Sequence, residues 1–139
     1  DEKLNRTQSI EKDLESFASS DAKPSQAGVD YANHLHDLSN NIPLLLVAHA
    51  YVRYMGDLSG GRMLKKFIDQ LFPGSHSFFY EFNELLGENA NGAKFVDYKN
   101  EWKNNLDSLE LTENDRLALI NEAKKAFEMT GKIFMSAMN

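Results

Sequence analysis

The residues of this sequence best suited to chemistry fall in one run, YVRYMGDLSGGRMLKKF, at positions 51–67. Both ends read as amphipathic helix. The middle reads as a helix breaker, with Gly56, Gly60 and Gly61 beside Asp57 and Ser59. Each interior glycine costs a helix about 1 kcal/mol relative to alanine, so three within six residues need a reason. Residues four apart lie on nearly one face of a helix. Gly56 and Gly60 therefore stack, with Gly61 beside them, and the missing side chains bare a strip of backbone. Such a strip lets the helix bend, lets a neighbouring helix pack closely, or lets something broad and flat lie against it. Asp57 inside the cluster and Arg53 one turn before it make a poor packing surface. A carboxylate in that position suits the organisation of water beside a bound group, because it accepts from several waters at once and fixes their orientation. By spacing alone, Arg53 and Asp57 form a surface i,i+4 pair worth about 0.3–0.5 kcal/mol.

Other chemistries are excluded or weak. There is no cysteine, which removes disulfides, thiolate metal sites and a thiol nucleophile. Of the four histidines, His34 and His36 are two apart on a polar helix and point to different faces, so they are not read as a metal pair. His49 lies two turns before Asp57 and reads as structural, and His76 as a solvated loop residue. No metal ligand set is expected. The formal charge of −6 argues against a nucleic-acid partner.

The elements that must position these residues are helical. A length of 139 residues suits a single domain spanning 1–139. Three prolines and a helix-period pattern nearly throughout predict an all-α fold. The pattern places a first helix at 3–18 with Leu4, Ile10, Leu14 and Phe17 as its apolar stripe. A loop follows at 19–28, and a second helix runs from about Ser25 to Leu38, ended by Asn40 and Asn41. Pro43 suits the first turn of a third helix, 43–72, very apolar at PLLLVAHAYV and interrupted by the glycines. FPGSHS (72–77) is a turn, FFYEFNELL a short helix or extended packing segment, and GENANG (87–92) a loop. A helix at 92–107 carries Phe95, Tyr98 and Trp102 at helical spacing. Thr112 can cap a last helix running to about 138, with Asp115 as a capping-box partner. No run reaches about 18 apolar residues, so none spans a membrane.

LLVAHAYVRYMGDLSGGRMLKK resembles the distal-helix signature of heme oxygenases. NRTQSIEKDLESF, FYEF, KFVDYKNEWKNNLDSLELT and LINEAKKAFEMTGKIF resemble further segments of that family, in the expected order, over roughly residues 5–135. The resemblance implies a heme-oxygenase-like multi-helix bundle with a glycine-kinked distal helix. It also implies oxidative cleavage of heme to biliverdin, carbon monoxide and ferrous iron. Heme would be both substrate and cofactor, with O2 and with electrons from a reductase or ferredoxin. Gly56, Gly60 and Gly61 match positions whose backbone touches the porphyrin face, with Ser59 among them. Asp57 matches the catalytic aspartate that holds distal water and delivers a proton, and Arg53 and Tyr54 match network residues behind it. Lys99 and Lys103 match the basic pair that binds the heme propionates. Arginine is more usual at the second position, so Lys103 loses bidentate geometry. Tyr51 matches a tyrosine near the same edge. Phe127 and Phe134 match apolar residues against the heme, though by spacing alone they read as core. Lys65 and Lys66 match family lysines that read as surface charge, or as a docking patch for a reductase.

The sequence departs from the family in one respect. The proximal iron ligand belongs to a segment of the type T-x-x-x-H-x-x-A-E, which does not occur among the 139 residues. The expectation is that this chain corresponds to the C-terminal two-thirds of a catalytic domain, with the proximal helix in a missing N-terminal segment or a second chain. The alternative is a degenerate or truncated member that binds heme, or acts as a scaffold, without turnover. A related helical hydrolase of the thiaminase type is disfavoured by the lack of cysteine. The compartment implied is cytoplasm or plastid, or the cytosolic face of the endoplasmic reticulum if a C-terminal anchor was removed.

Overall fold

The computed structural model describes residues 4–17, 23–73, 77–82 and 92–137. Five α-helices account for most of them: α1 Thr7–Phe17, α2 Gln26–Asn41, α3 Leu46–Leu71, α4 Gly92–Asp107 and α5 Glu113–Ala137, with a 3-10 turn at Pro43–Leu45 leading into α3. Among the described residues there is no strand, and the all-α expectation holds. No helix is long and apolar enough to cross a membrane among those residues.

Helix ends follow local chemistry. Ser25 caps α2, its hydroxyl accepting from the Gly28 N–H at 3.2 Å. Pro43 opens the 3-10 turn, where its missing N–H removes no intrahelical bond. Thr112 and Asp115 cap α5 reciprocally: the Thr112 hydroxyl accepts from the Asp115 N–H at 3.2 Å, and the Asp115 carboxylate accepts from the Thr112 N–H at 3.0 Å. The expected interruption of the long helix is not a break, because α3 runs as one helix through Gly56, Gly60 and Gly61. His76 and most of FNELL and GENANG lie outside the described residues, as does the side chain of Phe95.

The chain forms two compact units. The first comprises Asp1–Ala22 and Tyr54–Leu109. Its core is Leu4, Met55, Leu58 and Phe82, with Tyr54, Tyr98 and Trp102 packed against it. The segment at 77–82 is a turn, not a helix, and α1 with the residues before it clamps it. The Asp13 carboxylate accepts from the N–H groups of Phe78 and Phe79 at 2.7 and 3.0 Å. The Arg6 guanidinium donates to the carbonyls of the same two residues at 2.7 and 3.0 Å and lies 4.6 Å from the Phe82 ring centroid. Four backbone groups of an irregular segment are thus satisfied by two side chains. Phe82 is 1 % exposed with φ of 51°, a left-handed conformation that side chains other than glycine rarely adopt. Burial of its ring and the Arg6 contact hold it there. Ile10, Leu14 and Phe17 are largely exposed rather than core, and line an apolar groove of about 390 Å³ with Ile68, Phe72 and Tyr80.

The second unit comprises Lys23–Arg53 and Glu110–Asn139. Here α2, α5 and the 3-10 turn pack together. They cover the apolar start of α3, where Ala48, His49 and Val52 are buried.

Candidate functional site

α3 carries the glycines and Asp57. Within the first unit, the glycines divide into two kinds. A Cβ built on Gly56 or Gly60 meets nothing within 4 Å, so the backbone there faces open space. A Cβ on Gly61 would stand 2.6 Å from Cδ1 of Tyr80. The bare strip expected from sequence is therefore real at Gly56 and Gly60. At Gly61 the missing side chain makes room for a ring of the same chain. Asp57 is half-buried and Ser59 exposed. Tyr54 packs against the Leu4–Phe82 core.

α4 brings Lys99 to this strip: its Nζ donates to Ser59 Oγ at 3.3 Å. A cation thus stands beside the glycine face, anchored by the serine next to Gly60. Lys103, one turn on, is exposed. Lys65 lies 3.2 Å from Asp69 in a surface i,i+4 pair and 3.8 Å from Glu81. Lys66 remains exposed.

Tyr51, Arg53, Phe127 and Phe134 belong to the second unit. Tyr51 is exposed and Arg53 half-buried. Phe127 and Phe134 are each 65 % exposed, so neither is core within the chain. With Met135 they leave large apolar surface open on α5, a feature that marks a surface to be covered.

The second unit also holds a cluster that sequence reasoning missed. Glu122 of α5 accepts on a single oxygen, Oε1, from Nε2 of His34 on α2 at 2.5 Å and Nε2 of His49 on α3 at 3.0 Å. The Tyr31 hydroxyl lies 2.8 Å from His49 Nδ1, and Lys125 Nζ lies 3.4 Å from His34 Nδ1. Burial holds His49 below the ordinary imidazole range, against the opposing pull of Glu122. Burial works against the Glu122 carboxylate too, but the bonds from His34 and His49 outweigh it and its pKa lies below the usual range. Burial likewise raises Tyr31. His34 and His36 do face differently, as expected. What spacing within α2 could not reveal is that His34 meets residues 15 and 88 positions away.

The heme oxygenase family model matches residues 1–136. A heme oxygenase of Rhodella violacea is 37 % identical over 96 % of this chain and 57 % of its own length. One of Guillardia theta is 37 % identical over 94 % of this chain and 55 % of its own. The chain thus spans about half the length of the curated relatives it matches. Heme oxygenase-1 of a Synechocystis cyanobacterium, solved in complex with heme, superposes with a TM-score of 0.86 at 32 % identity, covering 98 % of this chain and 61 % of that one. The heme oxygenase of Leptospira interrogans superposes with a TM-score of 0.80 at 32 % identity, covering 95 % and 64 % respectively.

Proposed function

The chain belongs to the heme oxygenase family, and from that premise we propose that it supplies the distal and propionate-binding part of an enzyme that opens heme to biliverdin, carbon monoxide and ferrous iron. The observation that carries this reading is the open backbone at Gly56 and Gly60 with Asp57 between them and Lys99 alongside. A flat macrocycle can approach such a face as no side chain would let it. The residues present fit heme on that ground.

When bound, heme would supply the iron at which O2 is activated, and this chain's residues would hold and orient it. Gly56 and Gly60 give the ring its contact surface and leave room for a small bound gas. Asp57 would accept from several waters at once and fix their orientation, so that the water network carries the proton inward. Arg53, one helical turn before Asp57, and Tyr54 would extend the hydrogen-bonded network behind that carboxylate. Lys99 and Lys103 would attract the propionates, and Tyr51 matches a family tyrosine assigned to the same role. Phe127 and Phe134 match apolar family positions that would contact heme, and within this chain they are exposed. The proximal imidazole comes from outside these 139 residues; supporting this, His34 and His49 are already engaged by Glu122. A reductase or ferredoxin delivers the electrons.

Heme titration of the chain and its Gly60→Leu variant tests the proposal. Wild type should shift the Soret band and the variant should not, with unchanged helical circular dichroism. Equal heme binding by Gly60→Leu would overturn the heme-face assignment. With a segment carrying the proximal histidine added, reductant should produce biliverdin absorption; heme binding without biliverdin in that completed complex would point to the non-catalytic alternative.

A further inference from the structure

We propose that His34, His49 and Glu122 form a divalent transition-metal site, suited to Zn2+, on the second unit and separate from the glycine strip. The ligand atoms of the three side chains lie within 4.8 Å of one another and come from three different helices. Two imidazole nitrogens and one carboxylate oxygen are the donor set of many three-ligand zinc sites, which leave a fourth position for water. The side chains are 16 %, 5 % and 11 % exposed. The site is thus largely shielded from solvent, yet open at His34 to an entering ion.

The surroundings favour this use. Metal-bound imidazole needs its other nitrogen protonated and hydrogen-bonded outward. His49 Nδ1 lies 2.8 Å from the Tyr31 hydroxyl, which donates to it while Nε2 holds the proton and can accept from it once the metal takes the Nε2 lone pair. At present both Nε2 atoms crowd one carboxylate oxygen. Ligands about 2.0–2.1 Å from a tetrahedral zinc stand roughly 3.3 Å apart, so Glu122 must withdraw by under about an ångström, within reach of side-chain rotation.

One neighbour opposes the ion. Lys125 Nζ, at 3.4 Å, is placed to donate to His34 Nδ1. That contact puts the His34 proton on Nε2, toward Glu122. Metal binding needs the Nε2 lone pair, so the proton must move to Nδ1 and Lys125 must swing away on its exposed stem. The lysine therefore acts as a competitor whose removal should strengthen the site. A purely structural His–Glu–His cluster has no reason to behave so.

The experiment is titration of the heme-free chain at neutral pH with Zn2+ by calorimetry and with Co2+ by visible absorption. One equivalent should bind, with the d–d bands of a four-coordinate cobalt site and a raised melting temperature. His34→Asn should lose affinity by more than the about 10–100-fold that removal of an outer partner produces. Lys125→Gln should bind several-fold tighter, and His36→Asn should match wild type. Circular dichroism reports whether each variant is folded. Because Lys125 is on the surface, its variant keeps the test decisive even if His34→Asn does not fold. Failure of Zn2+ to bind at millimolar concentration would overturn the proposal. So would binding unaffected by His34→Asn in a folded variant, or Lys125→Gln weakening it.

Discussion

Gly60 and Gly61 are adjacent in sequence and opposite in physics. Alanine at Gly60 meets open space and removes the entropic penalty of a helical glycine. Gly60→Ala should therefore stabilise the heme-free chain by about 0.5–1 kcal/mol in urea unfolding while weakening heme binding. Gly61→Ala drives a Cβ to 2.6 Å from the Tyr80 ring and should destabilise by about 1–3 kcal/mol, as overpacking does. Tyr80→Ala should relieve much of that loss in a double-mutant cycle. If both glycine variants shifted stability alike, the division of the strip would be wrong. The basic pair gives a second prediction at this scale. Lys99→Glu with Lys103→Glu reverses the charge beside the strip and one helical turn on, and should weaken heme affinity by about tenfold or more, with a loss of regiospecificity in ring opening once the proximal segment is supplied. A heme titration and chromatography of the bilin isomers check it. Unchanged affinity would return both lysines to the solvated surface.

At the scale of the element, the start of α5 is the most legible device. The Thr112 hydroxyl accepts from the Asp115 N–H, and the Asp115 carboxylate accepts from the Thr112 hydroxyl and N–H at 2.6 and 3.0 Å. Thr112→Ala should cost about 1 kcal/mol, read as a lower melting temperature. The Thr112 hydroxyl and then its N–H hold the Asp115 carboxyl below the ordinary range. A carboxyl depressed in the folded state stabilises fully above its unfolded pKa and loses that contribution as pH falls through the folded one. The wild type should therefore show an acid-side decline in stability that Asp115→Asn flattens. A melting series from neutral to acid pH measures it, and identical slopes would remove Asp115 from the cap's pH dependence.

At the scale of the molecule, the notable feature is apolar surface left open. Phe127, Phe134 and Met135 on α5 are more than half exposed. Ile10, Leu14 and Phe17 on α1 are also largely exposed. Side chains so exposed contribute little to the chain's own stability. Phe127→Ser with Phe134→Ser should change unfolding free energy by no more than about 1 kcal/mol, lower self-association of the heme-free chain in light scattering, and weaken heme binding. A large loss of stability would show that the two rings are core after all.

Sequence alone determined what is local. Helical periodicity located α1 to α5 within a few residues, and the boundaries of α4 fell where they were expected. Ser, Thr and Asp at helix starts act through hydrogen bonds three residues long, so their chemistry is written in adjacent letters. The glycine strip with Asp57 was legible for the same reason: a helix fixes which residues share a face. Tertiary structure decided whatever depends on a partner far along the chain. Nothing in the spacing of the glycines told that Gly61 makes room for Tyr80 while Gly60 faces open space. Nothing in α2 told that His34 would meet His49 and Glu122, since 88 residues separate the ends of that cluster. Nor did the hydrophobicity of Phe127 and Phe134 tell core from open surface, because burial belongs to what a helix packs against and not to the helix. Periodicity fixes the face a residue occupies; only packing fixes what that face meets.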